Sequence, residues 1–216
     1  MKLIIGNKNY SSWSLRPWLL MQVLELPFEE VLIPLYAPGA KEKLLAQAPS
    51  GKVPALHDGD LVLWDSLAIT EYLAEQYPGV AVWPADAEAR AIARCVAAEM
   101  HSGFSALRTH MPMNCRASHP GKGQTPEVLA DIARITALWT DCRTRFGAGG
   151  PFLFGAFSAA DAFYAPVVSR FLTYAVALPS ICQDYVAAVR ALPAMQAWYA
   201  AGIAEQERVA GSEPYG

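Results

Sequence analysis

Hydrophobic positions in the first eighty residues alternate between short strand-like runs and a helical spacing. Short apolar runs at Lys2–Ile5 and Phe28–Leu35 predict β-strands. Pro34 lies inside the second run and lacks an N–H for a strand ladder, so that strand is expected at a sheet edge. Between the two runs, apolar residues over Trp13–Leu24 recur at helical spacing. The stretch therefore predicts a strand, a helix and a second strand.

The remainder of this region predicts a hairpin between two helices. Asp58-Gly59-Asp60 separates the apolar runs Ala55–His57 and Leu61–Trp64, and Asp-Gly between such runs is a strong hairpin signal. A short helix is expected over Lys41–Gln47 and a longer one over Ser66–Gln76. Together these elements predict a small mixed sheet faced by helices.

The pattern changes between residues 78 and 86. From Asp86 to Ala210 the chain reads as long alanine-rich helices without a convincing strand. The first helix is expected from Asp86 to about Leu107, and the last over Leu192–Gln206. We therefore expect two domains, an α/β domain over residues 1–80 and an all-α domain over residues 86–216.

Two helix starts in the second half carry capping signals. Thr125 is expected to cap a helix with Pro126 in its first turn, where the missing N–H costs nothing. Ser158 and Asp161 resemble a capping box, with aspartate in place of the usual glutamate. Pro166 is expected to kink the helix that follows or to delay its start.

Composition narrows the class of protein. Of 216 residues, 53% are hydrophobic and 17% charged, against about 25% charged in typical domains, which indicates a well-packed globular chain. The net charge of −3 argues against a nucleic-acid partner. The longest uncharged stretch, residues 146–160, is shorter than the about 20 residues that a membrane helix needs. The first residues, with only three apolar positions before Asn7, predict a short strand and no secretory signal.

The cysteine pattern points to reduced thiols. Cys95, Cys115, Cys142 and Cys182 form no CxxC pair and show no zinc-like spacing with histidine. Their even number permits two disulfides, but without a secretory signal we expect a cytoplasmic protein with four free thiols and no metal.

Ser11 and Ser12 lie between the first predicted strand and the first predicted helix. The N-terminus of a helix offers free N–H groups and a positive dipole end that stabilise an anion. A hydroxyl of Ser11 or Ser12 at that point could donate a hydrogen bond to a bound thiolate or phosphate. Alternatively, Ser11, Ser12 or Ser14 only caps the helix, a role that serine often takes.

Two further loops lie at the same end of the predicted sheet. A cis Val53-Pro54 bond would leave the Val53 main chain free to pair with an extended peptide, whereas the alternative is an ordinary trans turn. Asp65 and Ser66 could hold the ammonium and carboxylate of a ligand, or Asp65 could act as a plain N-cap. The three loops together predict a pocket for an extended peptide with a free amino-acid head and a thiol.

Four segments at fitting separations resemble the glutathione S-transferase family, and within it the bacterial, zeta-like serine-type branch. They are Ser11–Arg16, Lys52–Leu56, Asp65–Ile69 and Ser158–Asp161. The resemblance covers the whole chain. It implies a thioredoxin-like N-terminal domain, an all-helical C-terminal domain, a homodimer, and a cytoplasmic detoxification enzyme that conjugates the glutathione thiolate to small electrophiles.

The same resemblance implies roles for individual residues. Ser11, or else Ser12, would donate a hydrogen bond to the glutathione sulfur and so favour the nucleophilic thiolate. The implied glutathione-binding residues are Lys52, Val53, Pro54, Asp65 and Ser66. Val53 would pair with the cysteinyl main chain, and Asp65 and Ser66 would hold the γ-glutamyl head. Lys52 replaces the glutamine usual in zeta-like relatives.

The electrophile site is expected between the domains, where His101, Phe104 and Arg108 lie on or just after the first long helix. Trp13 stands where the zeta pattern carries a cysteine, which weighs against the maleylacetoacetate isomerase reaction. Two alternatives to transfer remain: glutathione-dependent cis–trans isomerisation of that type, and a binding protein that has kept the scaffold without catalysis.

Overall fold

The amino-terminal part of the chain folds around a four-stranded mixed sheet. A computed structural model of the protein describes residues 1–215. The strands are β1 (Lys2–Ile5), β2 (Glu29–Leu32), β3 (Ala55–Asp58) and β4 (Leu61–Trp64), and the helices are α1 (Ser12–Val23), α2 (Ala40–Gln47) and α3 (Ser66–Gln76). The strand order is β2-β1-β3-β4, with β1 parallel to β2 and antiparallel to β3, and β3 antiparallel to β4.

The rest of the chain is helical. It comprises α4 (Ala87–Ser102), α5 (Ser105–His110), α6 (Pro126–Phe146), α7 (Ala159–Thr173), α8 (Ser180–Ala191) and α9 (Pro193–Ala204), followed by a 3₁₀ turn at Ala210–Ser212. Within residues 1–215, no helix has both the length and the apolarity needed to cross a membrane. The predicted order of strands and helices in the first half is confirmed, as is the helical second half.

The second strand is shorter than predicted. It ends at Leu32, two residues before Pro34, and lies at one edge of the sheet next to β1. A proline cannot donate to a strand partner, so the ladder stops before it. The edge position expected from Pro34 is confirmed.

The single helix predicted from Asp86 to about Leu107 is wrong, because the chain breaks it at Gly103 and Phe104. Phe104 adopts φ +57°, in the left-handed region that helices do not use. A Cβ on Gly103 would lie only 2.8 Å from the carbonyl oxygen of Glu99, so this position accepts the tight helix end only as glycine. The break directs α5 back toward α1, and the Arg108 guanidinium lies over the ring of Trp13.

Both predicted helix caps are present. The hydroxyl of Thr125 accepts the N–H of Val128, and Ser158 and Asp161 form a complete capping box at the start of α7. That helix begins at Ala159, so the later start considered for Pro166 does not occur, and Pro166 lies within it. The capping box fixes the residue at which α7 begins, and therefore which residues of α7 contact α1.

Helices α1 and α7 make the main contact between the sheet-containing half and the helical half. Leu15 and Trp18 of α1 belong to the same buried apolar cluster as Phe163 and Val167 of α7. This packing sets Ser12 at the N-terminus of α1 against Arg170 in the last turn of α7, where the candidate site is found.

Candidate active site

Ser11 caps helix α1. Its Oγ accepts the N–H of Ser14 at 3.3 Å and donates to Ser14 Oγ at 2.8 Å. The Ser14 hydroxyl in turn accepts the N–H of Gly6 at 3.0 Å. The hydroxyl of Ser11 is therefore engaged in holding the start of the helix, as the capping interpretation predicts.

Ser12, the first residue of α1, has a different partner. Its Oγ accepts a hydrogen bond from Nη2 of Arg170 on α7 at 3.4 Å. The Ser12 hydroxyl donates to no acceptor within residues 1–215, so its proton is available to a ligand. Arg170 is only 5% exposed, and burial lowers its pKa to about 10, which keeps it cationic at neutral pH. A cation behind the hydroxyl makes Ser12 a stronger donor.

The Val53-Pro54 peptide bond is cis. The Val53 N–H and C=O make no hydrogen bond to another part of the described chain. Main-chain groups left unpaired at the edge of a cavity can pair with an extended ligand, as expected from the sequence.

Asp65 caps helix α3 from an unusual backbone conformation. At φ +76°, its Oδ1 accepts the N–H groups of Leu67 and Ala68 at 2.8 and 3.4 Å. Its Oδ2 lies 3.3 Å from Nε2 of His101. Burial lowers the pKa of His101, with Asp65 opposing the shift, so the imidazole is neutral at pH 7. The plain capping role therefore holds, and the half-exposed carboxylate also faces the site.

Two cavities meet at Trp13. The first, of about 540 Å³, is lined by Lys52, Val53, Pro54 and Asp65 among others. The second, of about 440 Å³, is lined by Ser11, Ser12, Lys52, Val53, Arg108 and Arg170 among others. The ring of Trp13, which is 36% exposed, lines both cavities. The predicted glutathione-binding loops thus open onto the serine pair.

The four remaining predicted site residues differ in their position relative to the two cavities. Arg108 lines the second cavity, whereas His101 and Phe104 line neither. Ser66 is buried and lines neither cavity, and its Oγ accepts from Nη1 of Arg16 at 3.4 Å. Within residues 1–215, no group of three or more histidine, cysteine or acidic side chains is placed to hold a metal ion.

Sequence reasoning missed Arg170. It is the single basic residue of α7, a helix whose residues are buried on all sides of its axis apart from Leu172. A charge in such a segment needs a specific partner, and this signal was available in the sequence. Its partner Ser12 lies 158 residues away, so sequence spacing gives no indication of the contact.

Comparison with known proteins shows which family the chain belongs to. The N-terminal-domain model of the glutathione S-transferases matches residues 10–76, and the C-terminal-domain model matches residues 90–201. A glutathione S-transferase GstB from Escherichia coli is 31% identical over 147 residues, 67% of each chain. The chain belongs to the glutathione S-transferase family. A probable maleylacetoacetate isomerase from Caenorhabditis elegans is 35% identical to this transferase over 97 residues, 45% of each chain.

Solved structures of other transferases share its fold. A glutathione transferase homologue from Burkholderia with bound glutathione superposes with a TM-score of 0.71 at 24% identity, covering 93% of this chain and 97% of its own. A zeta-class maleyl pyruvate isomerase gives a TM-score of 0.67 at 24% identity, over 97% and 100% of the two chains. The thioredoxin-like N-terminal domain and all-α C-terminal domain expected from the sequence are confirmed.

Proposed function

We propose that this transferase binds glutathione in the first cavity and adds its thiolate to small electrophiles in the second. One observation carries the proposal: Val53-Pro54 and Asp65 line one cavity, which shares Trp13, Lys52 and Val53 with the cavity of the serine pair. Family membership makes glutathione the extended thiol peptide that this arrangement suits.

In this proposal each loop holds one part of glutathione. Asp65 pairs with the γ-glutamyl ammonium, and the hydroxyl and N–H of Ser66 hold the adjacent carboxylate. The free N–H and C=O of Val53 pair with the cysteinyl main chain, next to Pro54. Lys52, on the rim of both cavities, reaches a carboxylate of the ligand. The sulfur then lies at the N-terminus of α1.

Activation of the sulfur is the chemical step that the protein assists. A free thiol has a pKa of about 8.5, and a hydrogen-bond donor and a helix N-terminus both favour the thiolate. The thiolate forms a C–S bond with the electrophile, while a leaving group departs or a proton adds to the activated double bond. The thiol proton goes to solvent.

Ser11 and Ser12 are both candidates for the donor, and the geometry favours Ser12 because its proton is uncommitted. With 1-chloro-2,4-dinitrobenzene we expect Ser12→Ala to lower kcat/KM about 10- to 100-fold, the value of a charge-assisted hydrogen bond of about 1.5–3 kcal/mol. The pH–rate profile should also move to higher pH. Ser11→Ala should mainly destabilise the protein. If instead only Ser11→Ala moves the pH profile, the donor is Ser11.

A second candidate function is glutathione-dependent cis–trans isomerisation. Relatives named maleylacetoacetate isomerase favour it, while Trp13 in place of the zeta cysteine weighs against it. In that reaction the thiolate adds to a cis double bond, rotation follows, and glutathione is eliminated unchanged. A spectrophotometric assay with maleylacetoacetate distinguishes the two reactions. If the protein conjugates aryl halides but does not turn over maleylacetoacetate, the isomerase function is excluded and the transferase function is retained.

We also propose that the protein is a cytoplasmic homodimer. The outer strand β4 leaves Leu61 and Trp64 nearly half exposed, which gives an apolar edge for a second copy. All four cysteines are free and three are buried, as suits a reducing compartment. Light scattering after gel filtration should give twice the mass of the chain, and Leu61→Asp should reduce it to the mass of one.

A further inference from the structure

His101, near the end of α4, contacts a residue of the first cavity although it lines neither cavity itself. Its Nε2 lies 3.3 Å from Oδ2 of Asp65, which does line the first cavity. The other carboxylate oxygen, Oδ1, is occupied by two N–H groups at the start of α3. An effect of His101 on a ligand in the first cavity must therefore pass through Asp65.

The second ring nitrogen of His101 faces a cation. Its Nδ1 lies 3.5 Å from Nη1 of Arg16, which is only 1% exposed. A guanidinium has donors and no acceptor, so Nδ1 must carry the free lone pair and the proton of the neutral ring lies on Nε2. The N–H at Nε2 then donates to Asp65. Burial also lowers the pKa of His101, with the charges of Arg16 and Arg108 adding to the shift and Asp65 opposing it.

Aromatic side chains hold the imidazole from two sides. The ring centroid of Trp13 lies 5.4 Å from that of His101 in an edge-to-face arrangement, and the centroid of Phe163 lies 6.2 Å away. The His101 side chain is 22% exposed. With both nitrogens partnered and both neighbouring rings in contact, the direction of the donor at Nε2 is fixed.

A neutral donor leaves the charge of Asp65 available to a ligand. Within residues 1–215, no lysine or arginine lies within ion-pair distance of this carboxylate. A cationic side chain in the place of His101 would pair with the carboxylate and compete with an ammonium group of the ligand. A carboxylate oxygen can accept more than one hydrogen bond, so Oδ2 can accept from His101 and from an ammonium together.

The carboxylate needs such a support because it is accessible to solvent. The Asp65 side chain is 43% exposed, and an exposed side chain loses rotamer freedom when it binds a ligand. Ordering the side chain before the ligand arrives removes that loss and so raises affinity. The contact with His101 orders it in the free protein.

We propose that His101 is a positioning residue for the head group of glutathione, and that its neutral Nε2–H fixes the Asp65 carboxylate where the γ-glutamyl ammonium binds. Arg16 sets the tautomer of His101 from the interior. The inference rests on the proposed function, because it deepens the role that the function gives to Asp65 in the same site.

Calorimetry with two peptides tests this role. One is S-methylglutathione, which has no reactive thiol, and the other is S-methylated glutaryl-cysteinyl-glycine, which differs from it only in lacking the ammonium. The wild-type protein should bind the first about tenfold more tightly or better. His101→Leu should weaken the first about five- to tenfold and the second less than about twofold. Equal losses on both peptides would show a general structural role and overturn the proposal.

Two further variants separate the donor from the bulk of the side chain. His101→Gln places an amide N–H where Nε2 lies and should keep the affinity for S-methylglutathione within about threefold of the wild type. His110→Leu is the matched control, since His110 is an exposed histidine at the end of α5, and it should change neither affinity. As large a loss in His101→Gln as in His101→Leu would refute the hydrogen bond as the cause.

A double-variant cycle tests whether the effect passes through Asp65. Asp65→Asn removes the charge that the ammonium needs, so adding His101→Leu to it should cost less than about twofold in affinity for S-methylglutathione. A further loss as large as that of His101→Leu alone would show that His101 acts independently of Asp65 and would overturn the proposal.

The tautomer can be measured on the wild-type protein, which keeps the proposal testable even if His101→Leu does not fold. Long-range proton–nitrogen NMR correlations at pH 7, with and without S-methylglutathione, should show His101 protonated at Nε2 and unprotonated at Nδ1. A proton on Nδ1, whether in the other tautomer or in an imidazolium, would overturn the proposal.

Turnover of 1-chloro-2,4-dinitrobenzene distinguishes positioning of the head group from action on the sulfur. In His101→Leu the KM for glutathione should rise about five- to tenfold, while kcat at saturating glutathione stays within about twofold. A fall in kcat with a shifted pH–rate profile would instead assign His101 to the thiolate and refute the proposal.

The outcomes also separate this inference from the proposed function. If the wild-type protein does not bind S-methylglutathione, or binds it no better than the glutaryl peptide, the glutathione site proposed around Asp65 is refuted and the role of His101 with it. If the wild-type protein shows the preference and His101→Leu keeps it in full, the glutathione site stands and only the positioning role is refuted.

Discussion

Ser11 and Ser12 are adjacent in sequence, yet their hydroxyl groups contact different parts of the molecule. Ser11 bonds to Ser14 within its own helix, whereas Ser12 bonds to Arg170 of α7. The resemblance to the family favours Ser11 as the hydrogen-bond donor because of its position in the motif. The motif does not show which groups surround each hydroxyl. At this scale the decisive difference is whether a proton remains free for the ligand.

His101 and Asp65 offer a test of the electrostatics at the same scale. Because burial favours the neutral imidazole, the pKa of His101 should lie below the ordinary value of about 6.5. Asp65→Asn removes a charge that raises this pKa and should lower it further. Histidine C–H signals followed by NMR against pH check both, with His101→Gln to assign the resonance.

The lowered pKa of His101 makes the free energy of unfolding depend on pH. Below about pH 6.5 the unfolded chain binds a proton that folded His101 resists, so its contribution to the free energy of unfolding falls as the pH falls. A titration midpoint at or above 6.5 would contradict the burial seen here.

At the scale of elements, the capping box of α7 controls where α7 meets α1. The Asp161 side chain is fully buried and accepts hydrogen bonds from the N–H of Leu153, the N–H of Ser158 and the Ser158 hydroxyl. Asp161→Ala leaves these donors unsatisfied in the core. The expected loss in the free energy of unfolding is about 3 kcal/mol or more.

Thr125→Ala is the matched comparison for that loss. The Thr125 hydroxyl caps α6 by accepting the N–H of Val128, without such a buried network around it. We expect a loss of about 1 kcal/mol, the usual value of an N-cap. Urea denaturation of both variants measures the difference, and equal losses would show that burial adds nothing to the α7 box.

Element types were largely predictable, and one helix boundary was not. The hairpin turn at Asp58-Gly59-Asp60 and the caps at Thr125 and Ser158 are local signals, since each depends on hydrogen bonds within a few residues. The break at Gly103 and Phe104 was missed because Phe104 continues the apolar stripe of α4. At its positive φ, Phe104 is buried in the apolar cluster that residues from both halves of the chain form, and a local pattern does not show that packing.

At the scale of the whole molecule, the two halves share one apolar cluster. Trp18 of α1 and Trp198 of α9 lie edge to face, with ring centroids 5.0 Å apart. Such a continuous core predicts a single cooperative unfolding transition. Far-ultraviolet circular dichroism and tryptophan fluorescence should give the same midpoint on heating, and S-methylglutathione should raise it. Two separated transitions would show that the halves unfold independently.

The sequence by itself determined the elements, the loops that hold candidate chemistry, and the family. These follow from hydrophobic period, turn residues and caps, which act over short stretches of chain and so leave a readable local pattern. Val53-Pro54 and Asp65 are recognisable in the sequence for this reason.

Only the tertiary structure decided how those loops are used. It placed Arg170 against Ser12, gathered Arg16 and Arg108 around Trp13, and left His101 and Phe104 outside both cavities. No sequence spacing encodes these contacts, because they arise where α1 packs on α7 and where the chain turns after α4. The close approach of these charged side chains to Trp13 and Ser12 is a property of that packing.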